Sequence, residues 1–105
     1  MQQKGFMVMD MKKYENFQLD WNINDIDRFN QALDAVDEWA GNSIRTGVDV
    51  TVKDIINEIQ PDLYDELSRG DKCRVGRAVS YKYNNGCYDN VERGNKKGST
   101  NTYRL

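Results

Sequence analysis

Basic and hydroxyl side chains recur at helical spacing in the last third of the chain. Arg74, Arg77 and Ser80 follow one another at three-residue steps, which places them on one face if the segment is helical. Lys72 and Lys82 lie at the two ends of this run. An α-helix fits the major groove of DNA, where Arg can donate two hydrogen bonds to guanine and Lys can contact phosphates. The pattern predicts a DNA-contacting helix, and the simpler alternative is a solvated helix surface.

A second basic group follows in a segment bounded by glycines. Lys96 and Lys97 lie between Gly94 and Gly98. Such a loop can reach a minor groove or phosphates, and its alternative reading is a charged hairpin tip that discourages edge-to-edge aggregation. Because both groups belong to one basic region, we predict a single surface for nucleic acid or another partner. The predicted residues are Lys72, Arg74, Arg77, Ser80, Lys82, Arg93, Lys96 and Lys97.

Charge is distributed unevenly along the 105 residues. The formal net charge is only −2. Residues 1–68 carry six Lys and Arg against fourteen Asp and Glu, a net charge of −8, whereas residues 69–105 carry nine against three, a net charge of +6. This split predicts a polyanion-facing end and a separate acidic face.

The residue types argue against an enzyme. Histidine is absent, which removes the commonest general base and the commonest metal ligand. Cys73 and Cys87 cannot complete a zinc site by themselves, and we expect both to be reduced thiols. We therefore predict a non-enzymatic protein with no metal and no cofactor.

Tyrosines alternate with basic residues in the same region. Tyr81, Tyr83, Tyr88 and Tyr103 can stack on unpaired bases, which would favour single-stranded nucleic acid. The simpler interpretation is that most of them fill the core where a helix meets a hairpin. We therefore favour double-stranded DNA as the nucleic-acid partner.

The distribution of apolar residues indicates where in the cell the protein is expected. The sequence has no run of about 18 apolar residues and no apolar segment behind a basic N-terminus. The expectation is a cytoplasmic protein with no membrane partner.

An amphipathic helix is predicted over residues 25–39. Its apolar residues recur at three- and four-residue steps, Asn22 or Asn24 is a suitable N-cap, and Gly41 suits a left-handed C-cap. The apolar face exceeds what a small core can cover, which predicts a homodimer. The expected interface residues are Phe29, Leu33, Val36 and Trp39.

Shorter elements follow this helix. Val48, Val50 and Val52 alternate like a short strand, and Thr51 with Asp54 has the form of a capping box. Pro61 and Gly70 bound a second helix, and Asp71 is the expected N-cap of a third. The predicted ranges are helices 51–59, 62–68 and 72–83, and hairpin strands 88–93 and 100–105.

This order predicts a helix-rich α+β fold. Strand, helix, helix, helix and hairpin is the topology of a winged helix-turn-helix, with the third helix as recognition helix and the Lys96 and Lys97 loop as wing. One compact unit is expected, with an N-terminal arm at 1–22, an acidic helix and short strand at 23–50, and the winged-helix domain at 51–105.

Residues 51–105 also resemble a family of small uncharacterised proteins of Gram-positive bacteria and their mobile elements. The resemblance implies a winged-helix-like fold and a setting in phage or integrated elements. It covers about half of the chain and includes no catalytic signature. The residues that carry it are Val52, Lys53, Asp54, Ile55, Leu63, Leu67, Val75, Gly76, Arg77, Ala78, Val79, Ser80, Gly86, Val91, Thr102, Tyr103 and Arg104.

Three functions are compatible with these features. The first is a DNA-binding regulator or accessory factor of a phage or mobile element. The second is a phage-type inhibitor of a host nuclease, anti-CRISPR or anti-restriction, whose acidic half mimics nucleic acid. The third is an adaptor that binds protein through the third helix.

Overall fold

The computed structural model describes residues 23–105, where four helices and two short strands follow one another. About half of these residues are helical and the strands form an antiparallel sheet, so the fold is α+β. No helix within 23–105 is both long and apolar enough to cross a bilayer. The predicted arm at 1–22 lies outside the described residues. The elements are α1 Ile26–Ala40, α2 Val52–Ile59, α3 Leu63–Glu66, α4 Arg69–Asn84, β1 Glu92–Arg93 and β2 Tyr103–Arg104.

Helix α1 agrees with the amphipathic helix predicted from the sequence. Its N-cap is Asp25, whose carboxylate accepts a hydrogen bond from the backbone N–H of Arg28 at 3.1 Å. The expected caps Asn22 and Asn24 are therefore wrong, because a helix beginning at Ile26 places Asp25 at the cap position. Gly41 has φ −79°, so the expected left-handed C-cap is also wrong.

The apolar face of α1 lies in the core of the single chain. Phe29, Leu33, Val36 and Trp39 are 0, 0, 1 and 5% exposed. They belong to one buried cluster with residues of α2, α4 and the hairpin. The prediction that these four residues form a dimer interface is wrong. Helix α1 packs its apolar face on α2, α4 and the hairpin, so none of the four side chains is at the surface.

Helix α2 begins with the predicted capping box. The Thr51 hydroxyl accepts from the Asp54 N–H at 3.2 Å, and the Asp54 carboxylate accepts from the Thr51 N–H at 3.1 Å. The short strand predicted before this helix is reduced to one bridge, in which Val50 and Tyr103 exchange backbone hydrogen bonds of 2.9 and 2.8 Å. Val48 is 57% exposed and Val52 is helical, so neither extends the strand.

Helix α4 begins earlier than the sequence predicts. Ser68 is its N-cap and accepts from the Asp71 N–H at 3.1 Å. Gly70, the expected end of the preceding helix, lies in the first turn of α4. The expected N-cap Asp71 is instead a buried residue of that turn, because its carboxylate points inward to polar partners described below.

The C-terminal hairpin has only two paired residues in each of its strands. β1 and β2 pair Glu92 with Arg104 and Arg93 with Tyr103. A second bridge joins Lys97 to Thr100 near the tip, where Gly98 has φ +66°. The predicted strands 88–93 and 100–105 are therefore shorter than expected, and most of this region is loop that extends toward the start of α2.

Candidate nucleic-acid interface

A groove of about 860 Å³ lies between α4, the start of α2 and the hairpin loop. These segments are distant in sequence, and the Val50–Tyr103 bridge joins the chain just before α2 to the hairpin. The groove is thus a product of the tertiary fold. Its lining residues are Thr51, Val52, Lys53, Tyr64, Lys72, Cys73, Gly76, Arg77, Ser80, Ser99, Thr100 and Asn101.

The groove is positively charged. Lys53, Lys72 and Arg77 line it, and its described lining includes no carboxylate. Asp54 lies beside it within the capping box. The backbone N–H of Thr51 holds the pKa of Asp54 below its ordinary value, and the charges of Lys97 and Lys53 act in the same direction. The cationic loop and the start of α2 therefore share one electrostatic environment.

Part of the predicted binding set is brought together here. Lys72, Arg77 and Ser80 line the groove from α4. Lys96 and Lys97 are exposed on the adjoining hairpin loop. The loop itself contributes Ser99, Thr100 and Asn101 to the groove lining, and the charge of Lys97 acts on Asp54 at the start of α2.

Lys82, predicted as part of the binding surface, lies on the buried side of α4 instead. The residue is 8% exposed, and its Nζ donates to Asp37 Oδ1 of α1 at 2.7 Å. The Tyr88 hydroxyl donates to the same oxygen at 3.0 Å. Lys82 follows Val75 and Val79 at helical spacing, so it shares their buried face and ties α4 to α1.

Arg93 is also engaged within the fold. Its guanidinium lies 4.9 Å from the ring centre of Tyr83 and 5.2 Å from that of Tyr103. Long hydrogen bonds of 3.4 and 3.5 Å join it to Asn101 and Asn84. These cation–π contacts hold the hairpin against the end of α4, so the main role of Arg93 here is structural.

Arg74 points toward the helix start, where sequence reasoning missed a structural site. Its Nη1 donates to Asp71 at 3.0 Å. The Asp71 carboxylate is fully buried and also accepts the backbone N–H groups of Asn24 and Asp25 at 3.0 and 2.9 Å. One buried carboxylate thereby fastens the start of α1 to α4. An Asp near the start of a helix is usually interpreted as its cap, so the sequence alone does not indicate that Asp71 binds the start of α1.

Lys53 was also missed from the predicted set. It is exposed and lines the groove from the first turn of α2. The sequence does place Lys53 two residues after Thr51, the predicted cap of α2, and this position in the first turn could have indicated a binding role. Lys53 precedes the basic last third of the chain, from which the binding residues were predicted.

The two cysteines are separate free thiols. Cys73 is exposed and lines the groove, and Cys87 is half-buried. Within residues 23–105, no three side chains of metal-ligating type are placed to hold a metal ion.

Comparison of the chain with protein-family models, with curated proteins and with solved structures finds no match. The resemblance of residues 51–105 to small mobile-element proteins therefore stays a prediction.

Proposed function

We propose that this chain is a non-enzymatic, DNA-binding protein of the winged-helix type that acts as a regulator or accessory factor of a phage or mobile element. The observation that carries DNA binding is the groove, in which α2 and α4 present Lys53, Lys72 and Arg77 with no carboxylate among the described lining. The phage or mobile-element setting rests on the resemblance alone.

The order of elements supports the winged-helix interpretation. α2, the short α3 and α4 are followed by a hairpin whose second strand bridges Val50, the residue before the α2 cap. In this arrangement α4 is the recognition helix and the Lys96 and Lys97 loop is the wing. Helix α1 then belongs to the same folded unit, because its apolar face fills the shared core.

Each basic residue has a role that suits its chemistry. Arg77 is exposed on the groove side of α4, where its planar guanidinium can donate two hydrogen bonds to a guanine edge. Lys53 and Lys72 are suited to phosphates on either side, and Lys96 and Lys97 to phosphates or a minor groove. Lys82, Arg93 and Arg74 are left out of the proposed interface because they are engaged within the fold.

Fluorescence anisotropy with a labelled DNA duplex and a labelled single strand, each at two salt concentrations, tests the proposal. We expect affinity for the duplex to fall steeply with salt, because several phosphates exchange their counterions for Lys and Arg. Stronger binding of the single strand would instead indicate base stacking. Absence of salt-sensitive binding would exclude DNA as the ligand.

Replacement of Arg77 tests the site itself. Arg77→Ala should weaken duplex binding roughly tenfold or more through loss of a bidentate contact. Arg69→Ala is the charge-matched control, because Arg69 is exposed at the start of α4 and is not among the groove residues. Equal affinities of the two variants would contradict the proposed interface.

One observation favours inhibition of a host nuclease as the second candidate. Asp27, Gln31, Asp34 and Glu38 are exposed at four- and three-residue steps along α1, which gives an acidic helical face away from the core. Such a face can occupy a cationic DNA-binding channel. If the protein fails to bind DNA at low salt, capture of a nuclease by the wild type and its loss in Asp34→Lys would support this function.

A further inference from the structure

Gly76 occupies a position where the fold does not require glycine. It lies in the interior of α4, where glycine weakens a helix relative to alanine. A Cβ atom built at this position meets no atom within 4 Å, and its φ is not positive. Neither close packing nor backbone conformation therefore explains the missing side chain.

The position of Gly76 in the groove supplies an explanation. Gly76 lines the groove between Lys72 and Ser80, which lie one helical turn away on either side. The side chains of α4 thus form a ridge with a notch at Gly76. A ligand in the notch can approach the helix backbone more closely than at any position with a side chain.

We propose that the notch at Gly76 is a phosphate-binding subsite for the DNA backbone, with the hydroxyl of Ser80 as its neutral donor. The proposal rests on the proposed function. Lys72 and Arg77, which line the groove from the same helix, supply the positive charge of the subsite. The subsite takes one phosphate group and reads no base.

Two single variants and a labelled duplex test the subsite. Gly76→Ala should raise Tm, because alanine favours the helix and its methyl group has free space, yet weaken duplex binding roughly tenfold or more by filling the notch. Gly70→Ala is the matched control in the same helix. Its added methyl group displaces the Arg74 guanidinium, which pairs with Asp71, so Tm should fall. The displaced group lies outside the groove, so duplex affinity should stay at the wild-type value.

Wild-type affinity in Gly76→Ala would overturn the subsite while leaving the proposed function in place, provided that the wild type binds the duplex and Arg77→Ala weakens it. Failure of the wild type to bind the duplex at low salt would overturn both proposals.

Discussion

Asp71 shows how one buried charge can organise two helices. Its carboxylate accepts hydrogen bonds from the backbone of Asn24 and Asp25 and from Arg74, all near 3 Å. The carboxylate has no exposed surface, so water cannot replace a lost partner. The start of α1 therefore depends on this residue as much as on its own N-cap.

Asp71→Asn should lower the free energy of unfolding by about 3 kcal/mol. The substitution removes a buried negative charge that three donors need, and it turns an amide N–H toward at least one of them. Urea unfolding measures the change. Asp89→Asn, at an exposed position, is the control and should unfold like the wild type.

The pH dependence of stability should carry a contribution from Asp34. Partial burial raises the pKa of Asp34 above 3.8, the negative charge of Asp37 acts in the same direction, and Lys82 opposes it. A raised folded-state pKa means that the folded chain binds the proton more strongly. Stability is thus lost as pH rises from 3.8 through the folded-state pKa, and the charged form is unfavourable at pH 7.

Asp34→Asn should therefore increase Tm at pH 7. The gain should shrink as pH falls and should vanish below pH 3.8, where Asp34 is protonated in both states. Thermal unfolding at a series of pH values measures this difference. A gain that persists unchanged at low pH would show that it does not come from the charge.

At the scale of elements, helix α4 has two faces with separate tasks. Val75, Val79 and Lys82 face the core and α1, while Lys72 and Arg77 face the groove. The hairpin contributes to both sides: Tyr103 is buried, whereas Lys96 and Lys97 are exposed at the tip. Binding and stability should accordingly be separable in the hairpin.

Replacement of both tip lysines tests this separation. Lys96→Gln with Lys97→Gln should reduce the slope of log affinity against log salt by about 1.8, because each lost phosphate contact removes about 0.9. Tm should stay within about 2 °C of the wild-type value, because surface substitutions have small effects on stability. An unchanged slope would place the hairpin tip outside the DNA interface.

At the scale of the whole molecule, residues 23–105 form one core with charged surfaces of opposite sign. The buried cluster runs from Ile23 in the chain before α1 to Leu105 at the end of the hairpin. The groove is cationic, and the exposed face of α1 is acidic. Because α1 is part of the core, its apolar face serves folding rather than association.

Leu33→Ala should therefore destabilise the single chain by about 3 kcal/mol through loss of buried apolar surface and the cavity left behind. Ile44→Ala is the matched control, because Ile44 is 67% exposed, and its unfolding should resemble that of the wild type. Thermal unfolding at several protein concentrations measures both. A wild-type Tm that rises with concentration, with the dependence lost in Leu33→Ala, would indicate a dimer through α1 instead.

The features that depend on local sequence were predictable. The spacing of apolar residues indicated α1 to within one residue at each end, and Thr51 with Asp54 indicated the capping box. Turn residues indicated the hairpin, although its strands proved shorter. Hydrogen bonds between neighbours and the helical period act over a few residues, so the linear chain is sufficient to recognise them.

The tertiary structure decided whether each charged side chain is buried within the fold or exposed to a ligand. Lys82 and Arg77 lie five residues apart in one helix, yet only the packing of α1 on α4 turns Lys82 toward Asp37 and leaves Arg77 exposed. The sequence position of Asp71 is typical of a helix cap, but in the fold its carboxylate accepts hydrogen bonds from the backbone at the start of α1. Composition determined that the last third is basic, but only the tertiary structure decided which cations face a ligand, because a buried charge is tolerated where distant parts of the chain supply its partner.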